Sequence, residues 1–103
     1  MPDKFYTTAK WKHLREVILR RDGYQCQLSK RFGKQVPATY VHHIFPREEF
    51  PEYTYEAWNL ISLCHKKHME MHQATSGELS PEGIELLRKT ARKYGKALPL
   101  RYQ

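Results

Sequence analysis

Hydrophobic residues recur at helical spacing near the start of the chain. Between residues 8 and 22, the apolar side chains of Trp11, Leu14 and Ile18 return every three or four positions. A threonine can cap the start of this segment, and Gly23 follows its end. The pattern predicts a first amphipathic helix over about 8–22.

A second helical pattern occupies about 81–94. Ser80 is a good capping residue, Pro81 suits the first helical position, and Gly95 stops the run. The apolar positions that repeat at intervals of three and four residues are Ile84, Leu87, Ala91 and Tyr94. We expect a final amphipathic helix here.

The chain between these helices predicts two short strands and two irregular segments. Residues 36–44 are rich in β-branched and aromatic side chains, although Pro37 limits them to an edge position or a strand start. Residues 60–63 predict a second strand. Residues 23–35 favour a turn or a short hairpin, and the aromatic, proline-containing 45–55 favours an ordered loop packed by its own side chains.

Five of the six histidines lie between residues 42 and 72. The segment 65–73 lacks helix breakers, and a helix there places His68 and His72 one turn apart on one face, where two imidazoles can bind one metal ion. Taken singly, each of these histidines is better explained as an ordinary surface residue. Their clustering favours a metal site.

The adjacent pair His42-His43 closes the first predicted strand. Neighbouring side chains on a strand point to opposite faces, so both cannot bind the same ion. The division of labour that fits is His42 as a third ligand and His43 as a general base, because imidazole titrates near neutral pH. Three protein ligands leave coordination positions for phosphate and water.

Length, charge and cysteine content indicate the number of domains, the class of binding partner and the cellular compartment. A chain of 103 residues has room for one domain, so we expect 1–103 to form a single unit. Its net charge of +7 favours a polyanion such as nucleic acid, although charge alone does not decide this. Two cysteines are too few for a disulfide framework, and neither a signal peptide nor a membrane span is apparent, so we expect a cytoplasmic protein.

Three sequence blocks in a fixed order carry a family resemblance. VHHIFP, then WNLISLC, then HKKHMEMH resemble the HNH endonucleases over residues 36–73, with looser similarity from Trp11 to Cys26. The resemblance implies an α+β fold, in which the ββα-metal motif of two strands, a loop and a helix is flanked by an N-terminal and a C-terminal α-helix.

The resemblance also implies roles for single residues. His42 and His68 correspond to metal ligands, His72 to a third ligand and His43 to the base that activates water. Asn59 would hydrogen-bond to the backbone, hold the loop and orient His43. The remaining histidines, His13 and His65, are expected to be structural or exposed.

The function implied is a metal-dependent endonuclease that hydrolyses DNA phosphodiester bonds with weak sequence preference. Its cofactor would be one divalent ion, namely Mg, Mn, Ni, Co or Zn. Arg47, Lys66 and Lys67 adjoin the motif and are candidate phosphate contacts. By analogy with small phage-type members, the chain would be encoded by a phage or prophage, act in a bacterial host cell and work with DNA-packaging proteins.

One departure from the phage-type pattern concerns cysteine. Many such members bind a structural zinc through two Cys-x-x-Cys pairs, but here Cys26 is followed by Ser29 and Cys64 by Lys67. We therefore expect no four-cysteine zinc site. Cys26 and Cys64 are expected to lie close together as small buried residues.

Two other functions are compatible with these patterns. A catalytically silent DNA-binding or adaptor module could keep the fold and the basic surface. The colicin-like histidine pattern also suggests a secreted nuclease toxin, but no translocation or receptor domain accompanies it. Retention of the histidine pair, Asn59 and both helix histidines favours the active nuclease.

Overall fold

The computed structural model describes residues 4–103. Residues 1–3 belong to the N-terminal segment in which no signal peptide was predicted, and they lie outside the described residues. The fold is α+β, and the predicted ββα unit flanked by two helices is confirmed. Within residues 4–103, no helix is both long enough and apolar enough to cross a bilayer. The helices and strands are α1 (Ala9–Arg21), α2 (Gln27–Arg31), β1 (Tyr40–His43), β2 (Leu60–Leu63), α3 (His65–Glu70) and α4 (Pro81–Tyr94).

Both long helices begin and end where their caps predict. The Thr8 hydroxyl accepts a hydrogen bond from the Trp11 amide at 3.3 Å at the start of α1. The Ser80 hydroxyl accepts from the Gly83 amide at 3.1 Å at the start of α4. Gly95 ends α4 with a φ of 64°, a left-handed conformation that glycine adopts without steric cost.

The β1–β2 ribbon is antiparallel, and helices cover both of its faces. His43 pairs with Leu60, and His42 pairs with Ile61. Because side chains alternate along a strand, Val41, His43 and Leu60 face α1, where a smaller core forms around Trp11 and Ile18. The opposite face, which carries Ile61 and Leu63, contributes to the larger core with α4. The ribbon thus directs two adjacent histidines into two different environments.

The loop between the strands is packed by its own aromatic rings, as predicted. Phe45 is fully buried and meets Phe50, Tyr53 and Trp58 edge to face, with ring centroids 5.0, 5.3 and 5.6 Å apart. Each such pair adds about 0.5–1.5 kcal/mol beyond the burial of its area. The loop is therefore a fixed support for the end of β1.

The turn or hairpin predicted for residues 23–35 is wrong. This segment contains the short helix α2, and its strand-like pairing is limited to a single bridge between Gln25 and Pro37. A helix of five residues shows no readable period and is too short to be stable alone. It forms because Cys26 and Leu28 pack into the larger core.

The helix predicted over 65–73 is shorter than expected. α3 ends at Glu70, and His72 instead pairs with Leu79 in an isolated antiparallel bridge. The Ser80 amide donates to the Met71 carbonyl at 2.9 Å, so the chain leaves the helix to pair with the approach to α4. The position of His72 is set by this bridge.

Gly83 lies against that bridge and provides a test of it. A Cβ at Gly83 would overlap the Met71 carbonyl oxygen, next to His72. We expect Gly83→Ala to lower the free energy of unfolding by about 1–3 kcal/mol, because the overlapping atoms are backbone. Urea denaturation measures this, and Glu85→Ala, at an exposed position of the same helix, serves as the control. A Gly83→Ala variant as stable as Glu85→Ala would contradict the close approach.

Candidate metal centre

Three histidines from three segments converge on one point. His42 comes from β1, His68 from α3 and His72 from the bridge after α3. One ring nitrogen of each can be chosen so that all three lie within 4.8 Å of one another. The ring centroids are 5.3 to 5.5 Å apart, and the rings meet edge to face. The predicted ligand set is therefore brought together.

The chemistry of the donors fits a divalent metal. Nε2 of His42 and Nδ1 of His68 are buried and find no hydrogen-bond partner among residues 4–103. Such atoms are rare in folded proteins, and a bound cation can satisfy them. Burial lowers the pKa of His42 well below its usual range, and the imidazoles of His68 and His72 lower it further. Burial also lowers the pKa of His68. The neutral ring is the form that binds a metal.

Two contacts outside the trio orient its rings. The Nδ1 atom of His72 lies 3.1 Å from the Gly77 carbonyl oxygen, which can only accept, so Nδ1 carries a proton and the lone pair of the neutral ring lies on Nε2. Metal-binding histidines commonly have such a partner. The ring of Tyr40 stacks on His68 with centroids 4.6 Å apart.

The trio opens on a cavity of about 530 Å³. Its wall includes the His43 ring, the cations Arg15 and Arg47, and the carboxylate of Glu48. The Arg47 guanidinium also lies 4.2 Å from the Phe5 ring centroid. A cavity lined by cations and by three histidines that can hold a metal ion can also hold a phosphate group.

His43 lies on the other face of β1 and is held separately. Its Nε2 atom is 3.1 Å from the Thr54 carbonyl oxygen, and its ring stacks on Trp11 with centroids 5.0 Å apart. Because the carbonyl can only accept, Nε2 carries the proton and the Nδ1 lone pair is available. Burial lowers the pKa of His43, and the hydrogen bond to Thr54 partly offsets this. A neutral ring with a fixed orientation is the state that a general base requires.

Asn59 ties both ends of the loop together. Its Oδ1 accepts from the Phe45 amide at 2.7 Å, and its Nδ2 donates to the carbonyls of Phe45 and Tyr53 at 3.1 and 3.2 Å. The side chain is fully buried. These bonds fix the loop that carries Thr54, and through Thr54 they bear on the orientation of His43. The catalytic role expected for Asn59 stays a prediction.

The predicted phosphate contacts are dispersed. Arg47 lines the histidine cavity, but Lys66 is exposed outside that lining, and Lys67 pairs with Glu70 at 3.3 Å beside a different groove. Their role in binding DNA stays a prediction. His65 lies outside the trio, with its Nδ1 atom 3.1 Å from the Tyr40 hydroxyl.

Sequence reasoning missed several residues that support the site. None of them belongs to a residue type that marks a metal ligand or a general base, so their contacts with the histidines become apparent only in the fold. They are Trp11, Arg15, Tyr40, Thr54 and Gly77.

The two cysteines lie close together, as expected, but only Cys26 is fully buried and Cys64 is half-buried. The Ser29 hydroxyl donates to the Cys26 sulfur at 3.2 Å and is 4.0 Å from the Cys64 sulfur. Both cysteines are free thiols. Ser29 therefore lies between the thiols.

Comparison with solved structures identifies a relative of known class. The HNH endonuclease of the deep-sea thermophilic bacteriophage GVE2, solved with a manganese ion, superposes with a TM-score of 0.61 and 27% sequence identity. The match covers 88% of this chain and 79% of the phage protein. No family model and no curated protein sequence matches the chain. The chain has the ββα fold of the HNH endonucleases, with three histidines arranged as a possible metal site, and the resemblance drawn from the motifs is confirmed.

The three-histidine cluster predicts that replacing His72 and replacing His65 have different effects on metal affinity. We expect His72→Ala to weaken Mn²⁺ binding by more than about 100-fold, because losing a ligand costs more than losing one of its outer partners. His65→Ala makes the same chemical change outside the trio and should leave affinity within about twofold. Isothermal titration calorimetry measures both. Equal affinities for the two variants would contradict the proposed ligand set.

The buried amide of Asn59 predicts a loss of stability. Asn59→Ala removes three hydrogen bonds and leaves the Phe45 amide without its acceptor, so the free energy of unfolding should fall by about 2 kcal/mol or more. Thr90→Ala, which removes one buried bond internal to α4, should cost about 1 kcal/mol. Urea denaturation compares them. A smaller loss for Asn59→Ala than for Thr90→Ala would show that Asn59 does not hold the loop.

Proposed function

We propose that this chain is a metal-dependent endonuclease that hydrolyses phosphodiester bonds in DNA. The observation that carries the proposal is one cavity lined both by the three-histidine cluster and by a held, neutral His43 from the opposite face of β1. The similarity to a phage HNH endonuclease solved with manganese supports it. The net charge of +7 suits a polyanionic substrate.

His42, His68 and His72 would hold one divalent ion, which supplies stabilisation of the negative charge that develops on the phosphate and on the leaving 3′ oxygen. Mg, Mn, Ni, Co and Zn are all compatible with this role, but neutral nitrogen donors suit Ni, Co, Zn and Mn better than Mg. The lowered pKa values of His42 and His68 keep these two rings neutral near neutral pH, so protons compete little with a metal ion at either of them.

His43 would take the proton from the attacking water. Its Nε2–H bond to Thr54 leaves Nδ1 as the basic atom, and stacking on Trp11 restricts rotation of the ring. Asn59 keeps the Thr54 loop in place. Arg15 and Arg47 line the same cavity and would orient the phosphate.

The second candidate is a catalytically silent DNA-binding or adaptor module. The intact trio and the hydrogen-bonded His43 favour the enzyme, because binding to DNA alone requires neither. By similarity to the phage protein we also propose a phage or prophage origin and action in a bacterial cell. Association with DNA-packaging proteins stays a prediction.

Replacing His43, the proposed general base, distinguishes the nuclease from the silent DNA-binding module. We expect His43→Ala to reduce nicking of supercoiled plasmid by about 10² to 10⁴-fold, because proton transfer from water is lost. DNA affinity should stay nearly unchanged. His13→Ala, at an exposed histidine of α1, should cleave like the parent chain.

The assay uses Mn²⁺ or Mg²⁺ with an EDTA control, and gel electrophoresis reports nicked and linear plasmid. Undiminished cutting by His43→Ala would show that His43 is not the general base. No cutting by the parent chain with any of the five metals would favour the silent module.

A further inference from the structure

A second groove lies between the end of α1, α2, β2 and α4. It encloses about 570 Å³, and among residues 4–103 it shares no lining residue with the histidine cavity. We call it the basic groove and define it by six of its lining residues, namely Arg21, Lys30, Arg31, Trp58, Lys93 and Tyr94. The proposed reaction uses none of them.

The cations of the basic groove are of two kinds. Arg21 stabilises the fold, because it pairs with Asp22 at 2.9 Å and donates hydrogen bonds to the carbonyls of Ala57 and Leu60. Lys30, Arg31 and Lys93, in contrast, are exposed and pair with no carboxylate among residues 4–103.

Asp22 is the single carboxylate that lines the groove within the described part of the chain. Its charge is already matched by Arg21, and it also accepts a hydrogen bond from the Ser62 amide at 3.0 Å. The net field in the groove is therefore positive, which suits a phosphate-bearing ligand.

Trp58 and Tyr94 form an aromatic wall of the groove. Trp58 is half-buried and is held edge to face by Phe45 and Tyr53, at 5.6 and 4.8 Å between centroids. Tyr94 lies beside it at 5.5 Å and remains 43% exposed. The Lys96 ammonium lies 5.0 Å from the Trp58 ring centroid. The groove thus combines an aromatic surface with three cations that no carboxylate of residues 4–103 neutralises.

We propose that the basic groove binds an unpaired DNA strand, with a base stacked on Tyr94 and phosphates contacting Lys30, Arg31 and Lys93. Cations bind any polynucleotide, but an exposed aromatic face contributes only where bases are unstacked, as in a single strand. The inference rests on the proposed function for its choice of DNA. It implies that the enzyme favours DNA with a single-stranded segment near the duplex.

The test measures binding without cleavage, on His43→Ala protein in EDTA. Fluorescence anisotropy follows a labelled oligothymidine and a duplex of equal length. Adding Tyr94→Ala should weaken binding of the single strand by at least about fivefold and leave the duplex within about twofold, because only unpaired bases can stack. Tyr94→Phe keeps the ring and should keep the affinity.

Charge is tested separately. Lys30→Ala with Arg31→Ala should flatten the slope of log affinity against log salt for the single strand by about 0.7 per cation removed. The matched control is Lys12→Ala with Arg20→Ala, which removes two exposed cations of α1 that line neither groove. Tyr55→Ala, at another exposed tyrosine, is the control for Tyr94.

The outcomes distinguish this inference from the proposed function. Variants of the groove that bind both DNA forms like their controls, or a Tyr94→Ala variant that loses duplex and single-strand binding equally, would overturn it. If the parent chain fails to cut plasmid but its binding of the single strand depends on Tyr94, the proposed nuclease function is wrong and the inference about the basic groove stands.

Discussion

The alternation of side chains along one short strand is the constraint on which the site depends. His42 and His43 are adjacent in sequence, yet one faces the His68 and His72 side of the ribbon and the other faces α1. A one-residue shift in register would exchange their environments. Helices pack on both faces, so every residue of β2 is buried and the register is strongly specified.

Placing imidazoles in such a setting has an electrostatic cost. Burial disfavours the protonated form of His42, and its two neighbours would repel any charge that it acquired. Buried ring nitrogens without partners are likewise unfavourable. A bound cation would pair with those nitrogens, and the lowered pKa of His42 favours the neutral ring that binds it. Binding of a metal to the folded chain would also stabilise the fold through linkage.

The support for His43 is built from groups distant in sequence. Thr54 contributes its carbonyl from the loop, Trp11 contributes its ring from α1, and Asn59 fastens the loop to the end of β1. Aromatic packing around Phe45 keeps that loop rigid. The loop therefore connects core packing with the orientation of one imidazole.

The sequence by itself determined the elements whose signals are local. Caps and apolar spacing defined α1 and α4, and the alternation of strand residues separated His42 from His43, because these properties depend on near neighbours. Tertiary structure decided the rest. α2 forms through core packing, and α3 stops early because the chain pairs with Leu79. Trp11 and Thr54 reach His43 from other elements, and Tyr40 of β1 stacks on His68 of α3. Contacts between residues far apart in sequence have no periodic trace, so only the folded chain reveals them.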